Sequence, residues 1–226
     1  MNKHLDTITG LFVAVLLISN IASTKIVSFL WFTFDGGTIL FPLSYIFGDI
    51  LTEVYGYRES RKVIWIGFIS AFLLSVTLII VGALPSAPDW TYQDAYEKIL
   101  GLTPRLVLAS LLAFWSGEFS NSFVLAKMKV RTRGKFLWTR TIGSTVVGEF
   151  IDTAIFVLVA FAGIMPGDVL VSIIVSNYVF KTGVEVLFTP LTYRVVGWLK
   201  KEEGRDTFDV GTNFNPFRFT PDIREE

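Results

Sequence analysis

Long apolar runs, interrupted by short polar clusters, set the pattern of this chain. Six runs are long enough to cross about 30 Å of hydrocarbon at about 1.5 Å per residue. They cover 8–30, 38–55, 63–84, 104–126, 139–164 and 169–198. The pattern predicts an all-α polytopic membrane protein with six transmembrane helices. It divides the chain into a six-helix domain, 1–200, and a polar C-terminal tail, 201–226.

The connections predict an orientation. The second holds Arg58, Arg61 and Lys62, and the fourth holds Lys127, Lys129, Arg131, Arg133, Lys135 and Arg140. Arg194, Lys200, Lys201 and Arg205 follow the sixth span's interior. The first, third and fifth connections are instead acidic, with Asp35, then Asp89, Asp94 and Glu97, then Asp168. This alternation of Lys and Arg places both termini in the cytoplasm. Trp90 falls where the outer interface belongs, and Trp138 and Trp198 near the inner one. The basic run at 127–140 is read as a topology determinant that meets anionic lipid.

Composition narrows the chemistry. The 226 residues are 52% hydrophobic with a mean hydropathy of +0.56, which suits a membrane protein rather than a soluble domain. The formal net charge is zero, and no charged block suggests nucleic acid. There is no cysteine and one histidine, His4, outside every apolar run. A thiolate nucleophile, a Cys or His metal site and a Ser-His triad in the membrane are therefore not expected, nor is a cofactor. The first apolar run leads into Asn20 and Lys25 and does not read as a cleavable signal.

Polar residues inside the spans carry the functional expectation. They are Asn20 and Lys25 in the first, Tyr45, Asp49 and Glu53 in the second, and Glu118 and Asn121 in the fourth. The fifth adds Glu149 and Asp152, and the sixth adds Asn177, Lys181 and Glu185 at helical spacing. The third has almost none and is expected to face lipid or support the others. Counted along each run, Asp49, Glu118, Asp152 and Lys181 lie roughly 16–21 Å from where their helices enter, near mid-bilayer. Charged groups at that depth belong in a shared interior. Asp49 and Glu53 are four residues apart, one above the other on a helix face. Ser23, Thr24, Ser122, Ser144 and Thr189 read as interhelical glue. Lys181 with Glu185 reads equally as a packing ion pair or a substrate contact. Tyr45, Phe47, Trp115 and Tyr178 are the aromatic candidates to stack on a planar ligand.

A cavity of carboxylates and amides suits a small polar solute, and composition does not choose between a heteroaromatic base, an amino acid and a cation. Several clusters carry a resemblance: Asn20 with Lys25, Tyr45-x3-Asp49-x3-Glu53-x-Tyr55-Gly56-Tyr57, and Gly117-Glu118-x2-Asn121-Ser122. Further on come Lys129, Gly134-Lys135, Trp138-x-Arg140-x3-Ser144-Thr145, Glu149-x2-Asp152 and Lys181…Glu185…Thr189-Pro190. In these the chain resembles the queuosine precursor transporters, also described as vitamin uptake transporters. The resemblance implies uptake of 7-deazaguanine bases across the inner membrane for salvage into transfer RNA. It also implies a fold similar to the substrate-binding components of energy-coupling-factor transporters. A homodimer is compatible with it. Together with the depth count it assigns Asp49, Glu118, Asn121, Asp152, Tyr45, Asn20, Asn177 and Lys181 to the solute. Glu53, Glu149, Lys25 and Glu185 are assigned to coupling or gating. There is no phosphate-binding Gly-x4-Gly-Lys loop, so ATP hydrolysis would need a separate module. Two rivals remain at this stage: a vitamin- or nucleobase-binding subunit dependent on such a module, and an intramembrane carboxylate enzyme.

Overall fold

A computed structural model of the chain describes residues 3–29, 32–101 and 104–218. The described residues form seven α-helices: α1 Leu5–Ala22, α2 Phe41–Ile50, α3 Tyr57–Ala83, α4 Gln93–Leu100, α5 Pro104–Arg131, α6 Leu137–Phe161 and α7 Gly167–Glu203. Among the described residues, five helical stretches are long and apolar enough to cross a membrane, and they carry α1, α3, α5, α6 and α7. The second predicted span is shorter: α2 has ten residues and runs into a five-residue π-turn, Leu51–Tyr55. At about 1.5 Å per residue the two together reach about 22 Å.

The first predicted span continues to residue 30, but α1 stops at Ala22. Polar side chains there turn back on their own helix: Asn20 Nδ2 donates to Leu16 O (2.8 Å), Ser23 Oγ to Ser19 O (2.9 Å) and Thr24 Oγ1 to Ile21 O (2.8 Å). Such local bonds offer the backbone an exit from the helix. The β-branched, aromatic stretch that follows then pairs as a hairpin, β1 Ile26–Phe29 with β2 Phe32–Asp35, antiparallel with Ile26 opposite Asp35. The other departure from the expected pattern is α4, an amphipathic helix in the acidic third connection. Gln93 at its start donates to Gly82 O at the end of α3 (3.0 Å).

The apolar core sits toward one end of the bundle. Ile8 and Phe12 of α1, Ile46, Ile50, Leu51 and Val54 of the α2 segment, Val63 of α3 and Val196 and Leu199 of α7 form one buried cluster. Those positions are early in α1 and α3 and late in α2 and α7, so this is the end from which the C-terminal tail leaves. The tail returns over it, and Lys3 and His4 donate backbone N–H bonds to Glu203 there (3.0 and 2.8 Å). Outward-facing apolar side chains such as Leu73, Val171 and Leu187 belt α3 and α7. The other end of the bundle is hollow.

Candidate functional site

Two glycines bring α5 and α6 together. A Cβ on Gly117 would lie 2.8 Å from Asp152 Cβ, and one on Gly148 would lie 2.8 Å from Asn121 Cβ. Only residues without side chains allow backbones this close, the small-residue logic of membrane helix pairs. The contact aligns Glu118 and Asn121 of α5 with Glu149 and Asp152 of α6. Gly48 of α2 faces the same place, where a Cβ would meet Glu118 Oε2 at 3.1 Å.

Around this junction lies a cavity of about 270 Å³. It is smaller than the usual range for drug-sized ligands, about 300–1,000 Å³, and fits one compact solute. Its wall draws on every long helix and on α2: Ser19 and Asn20 from α1 with Ser23 just past its end, Ser44 from α2, Ala71 from α3, and Glu118 and Asn121 from α5. Ser110 of α5, Glu149, Asp152 and Thr153 of α6 and Asn177 and Lys181 of α7 add to the polar lining, with Phe114 and Phe156 as the aromatic faces. These positions fall late in α1 and α6 and early in α2 and α7. The cavity therefore occupies the half of the bundle away from the tail.

Lys181 Nζ lies 2.7 Å from Asp152 Oδ2 and 3.2 Å from Glu149 Oε2. The carboxylate partners of Lys181 are thus on α6, not Glu185 one turn along its own helix. Asn121 Nδ2 donates to Asp49 Oδ1 at 3.4 Å. Several buried acceptors have no hydrogen-bond partner among the described residues: Asp49 Oδ2, Glu118 Oε2, Asn121 Oδ1, Glu149 Oε1 and both oxygens of Glu185. Buried acceptors left open are costly in a dry interior. Of these, Glu118 Oε2, Asn121 Oδ1 and Glu149 Oε1 belong to residues that line the cavity, and so does the open hydroxyl of Thr153.

Of the residues expected to meet a solute, Asn20, Glu118, Asn121, Asp152, Asn177 and Lys181 line this one cavity. Asp49 lies behind Asn121, fully buried, and Glu185 is buried outside the lining. The side chain of Tyr45 is outside the described residues. Glu149, expected to serve coupling or gating, is in the wall, whereas Lys25 is exposed beyond the end of α1. The expected stacking residues stand elsewhere: Trp115 packs with Trp65 and Phe119, and Tyr178 meets Phe150 edge-on. Phe47 packs against the apolar core. Phe114 and Phe156 take the place at the cavity, and nothing in their local sequence sets them apart from lipid-facing phenylalanines.

Glu53 belongs to a second site. Arg140 grips its carboxylate with two parallel bonds, Nε to Oε2 and Nη2 to Oε1, both 2.7 Å. Lys200 Nζ donates to Oε1 at 2.5 Å, and Lys129 Nζ donates to the Glu53 carbonyl at 2.5 Å and lies 3.4 Å from Oε1. Asp206 Oδ1 joins the two lysines from outside, at 2.5 Å from Lys129 and 2.8 Å from Lys200. Glu53 is 0% exposed and Lys129 and Arg140 are 1% exposed. This corrects the reading of the 127–140 run as lipid-facing: two of its cations are internal counter-ions. Burial alone would raise the Asp206 pKa, but hydrogen bonds from Lys129 and Lys200 outweigh it and hold the carboxyl below its ordinary value. Between this ion cluster and the cavity, Thr52 shares hydrogen bonds with Ser60 (2.8 Å) and Ser122 (3.0 Å). Ser122 is thus interhelical glue.

Comparison with known proteins follows the same outline. The family model described as "Putative vitamin uptake transporter" matches residues 35–195. A Bacillus subtilis (strain 168) protein named "Probable queuosine precursor transporter" is 34% identical over 201 residues, 86% of each chain. The Escherichia coli (strain K12) "Queuosine precursor transporter" is 24% identical over 173 residues, 75% of this chain and 76% of the relative. A Haemophilus influenzae protein, also named "Probable queuosine precursor transporter", is 22% identical over 125 residues, 55% of this chain and 51% of its own. No solved structure gives a significant match. With the model covering most of the chain, and a relative above 30% identity along nearly all of it, this protein belongs to the vitamin uptake transporter family.

Proposed function

We propose that the chain takes up queuosine precursors, 7-deazaguanine bases, and binds them in the cavity between α5 and α6. The names of its relatives support the solute. The observation that carries the site is the set of unpartnered acceptors, Glu118 Oε2, Asn121 Oδ1 and Glu149 Oε1, around a compact cavity with two aromatic faces. A guanine-like edge presents a ring N–H beside an NH₂, and one carboxylate accepts both in parallel. Glu118 is the carboxylate assigned that role. Asn121, oriented by Asp49, accepts or donates at the neighbouring edge. Lys181, Asp152 and Glu149 form the polar wall opposite, with Asn20 and Asn177 at the rim and Phe114 and Phe156 against the ring faces.

The protein acts in the cell's inner (plasma) membrane with both termini cytoplasmic. Supporting this, the N-terminal residues and the tail share one end of the bundle, and the Lys/Arg-rich connections lie at that end. Residues 1–200 form the transport domain and 201–226 a cytoplasmic extension. Glu53 gates the cytoplasmic side: the cavity must open past it for the base to leave inward.

Uptake of a labelled precursor by cells expressing Glu118→Gln or Asp152→Asn tests the assignment. Losing one charge-assisted hydrogen bond lowers uptake roughly tenfold at equal expression. Wild-type uptake in both variants would refute it.

A further inference from the structure

We propose that the C-terminal strap, residues 205–218, is the latch of the cytoplasmic gate, with Asp206 as the residue that locks it. The inference rests on Glu53 being the gate and adds a part that the membrane domain does not contain.

The strap crosses the tail end of the bundle and ties down helices that must separate for the cavity to open there. It starts where Gly56 joins the π-turn to α3 with φ +86°, and a Cβ on Gly56 would lie 2.6 Å from Thr207 Cγ2. Only glycine combines that backbone with so close a passage. Asp209 then caps α3, accepting the Tyr57 N–H at both carboxylate oxygens (3.1 Å each). Arg61 Nη1 donates to the carbonyls of Asn213 and Asn215 (3.0 Å each), Tyr57 OH to Phe214 O (2.9 Å) and Trp65 Nε1 to Pro216 O (2.9 Å). The Phe214 ring packs on Tyr57 at 4.8 Å and on Phe123 of α5 at 5.1 Å, under Lys127 Nζ at 4.3 Å. A loose polar extension would bury neither an arginine nor a tryptophan N–H against its carbonyls.

Asp206 is where the strap meets the ion cluster. Glu53, Lys200, Asp206 and Lys129 form a closed ring of contacts through the π-turn, α7, the strap and α5, and Arg140 adds α6. Three cations face two carboxylates in that ring. Without the Asp206 charge, three cations surround a single carboxylate, and like charges at this range repel strongly in a partly dry interior. The strap thereby holds the cluster closed, and its release opens the cytoplasmic mouth.

The chain has no native cysteine, so one introduced thiol reports alone. Ser122→Cys places it between cavity and ion cluster, at a side chain that is 1% exposed. A membrane-impermeant maleimide is applied to vesicles of both orientations. From the tail-bearing face, labelling accelerates roughly tenfold in Asp206→Asn and returns to the parent rate in Asp206→Glu. From the opposite face the rate is unchanged. Should Ser122→Cys fold poorly, Ser60→Cys in the same hydroxyl cluster serves as the reporter. Faster labelling in Glu53→Gln with an unchanged rate in Asp206→Asn would overturn the latch and leave the gate. Unchanged rates in both would overturn the gate and the latch together.

Discussion

The two halves of this molecule handle buried charge in opposite ways. In the ion cluster, the Glu53 carboxylate is fully partnered, gripped by Arg140 and Lys200 with Lys129 beside it. In the cavity, Lys181 is the one cation in the lining among the described residues, paired with Glu149 and Asp152, and acceptors on Glu118, Asn121 and Glu149 stand open. Both halves pay desolvation, but only the first recovers it within the chain. A saturated cluster is suited to holding helices shut. An unsaturated one is suited to a donor-rich visitor.

That contrast breaks if the wrong half responds to substitution. The largest effect belongs to Arg140→Ala, which strips a buried carboxylate of its bidentate partner. We expect thermal unfolding of the purified protein to show a loss of about 3–5 kcal/mol. Glu118→Gln, which replaces an open carboxylate oxygen, should leave the melting temperature nearly unchanged while lowering affinity roughly tenfold. Gly148→Ala comes next. The added methyl meets Asn121 Cβ at 2.8 Å, and overpacking of this kind costs about 1–3 kcal/mol. Here stability and precursor affinity should fall together, because the same contact aligns both cavity walls. Phe156→Leu keeps the apolar surface and loses the ring. Stacking is worth about 0.5–1.5 kcal/mol, so affinity in an equilibrium binding assay should drop by about 2- to 13-fold with no change in melting temperature.

The smallest effect concerns pH. Asp206 is held below its ordinary carboxylate value, so its contribution is complete above about 3.9 and is lost only as pH falls through the lower folded value. Asp209 runs the other way. Burial raises it against the hydrogen bonds from Tyr57 and Thr212, so its docking weakens slightly as pH rises from the ordinary value through the raised one. Limited proteolysis of the tail should therefore change little between neutrality and pH 5, with slightly stronger protection at the acidic end.

Hydropathy alone revealed the long helices, because length and apolarity are local properties. It carried the first span through residues 26–29, since an apolar β-hairpin and an apolar helix end look alike when polar side chains at Asn20, Ser23 and Thr24 supply the break. Counting depth put Asp49, Glu118, Asp152 and Lys181 at one level, since helices of fixed rise cross one slab; Glu118, Asp152 and Lys181 line one cavity, and Asp49 lies behind Asn121. Counting did not reveal that Lys181 pairs across to α6, nor that Arg140 and Lys129 turn inward to Glu53. Those depend on which face of each helix meets its neighbour, and the basic loop has the same composition either way. Gly117 and Gly148 make the α5–α6 contact, but a glycine within a span does not by itself say which helix it meets. Phe114 and Phe156 had no readable signal, among 21 phenylalanines.

The central claim is that the unsaturated half binds the solute and the saturated half does not. A binding isotherm of a 7-deazaguanine base to purified wild-type, Glu118→Gln and Glu53→Gln protein tests it directly. Saturable binding of similar affinity to wild type and to Glu53→Gln, weakened roughly tenfold in Glu118→Gln, is the predicted result. Binding that keeps its wild-type affinity in Glu118→Gln and disappears in Glu53→Gln would contradict it.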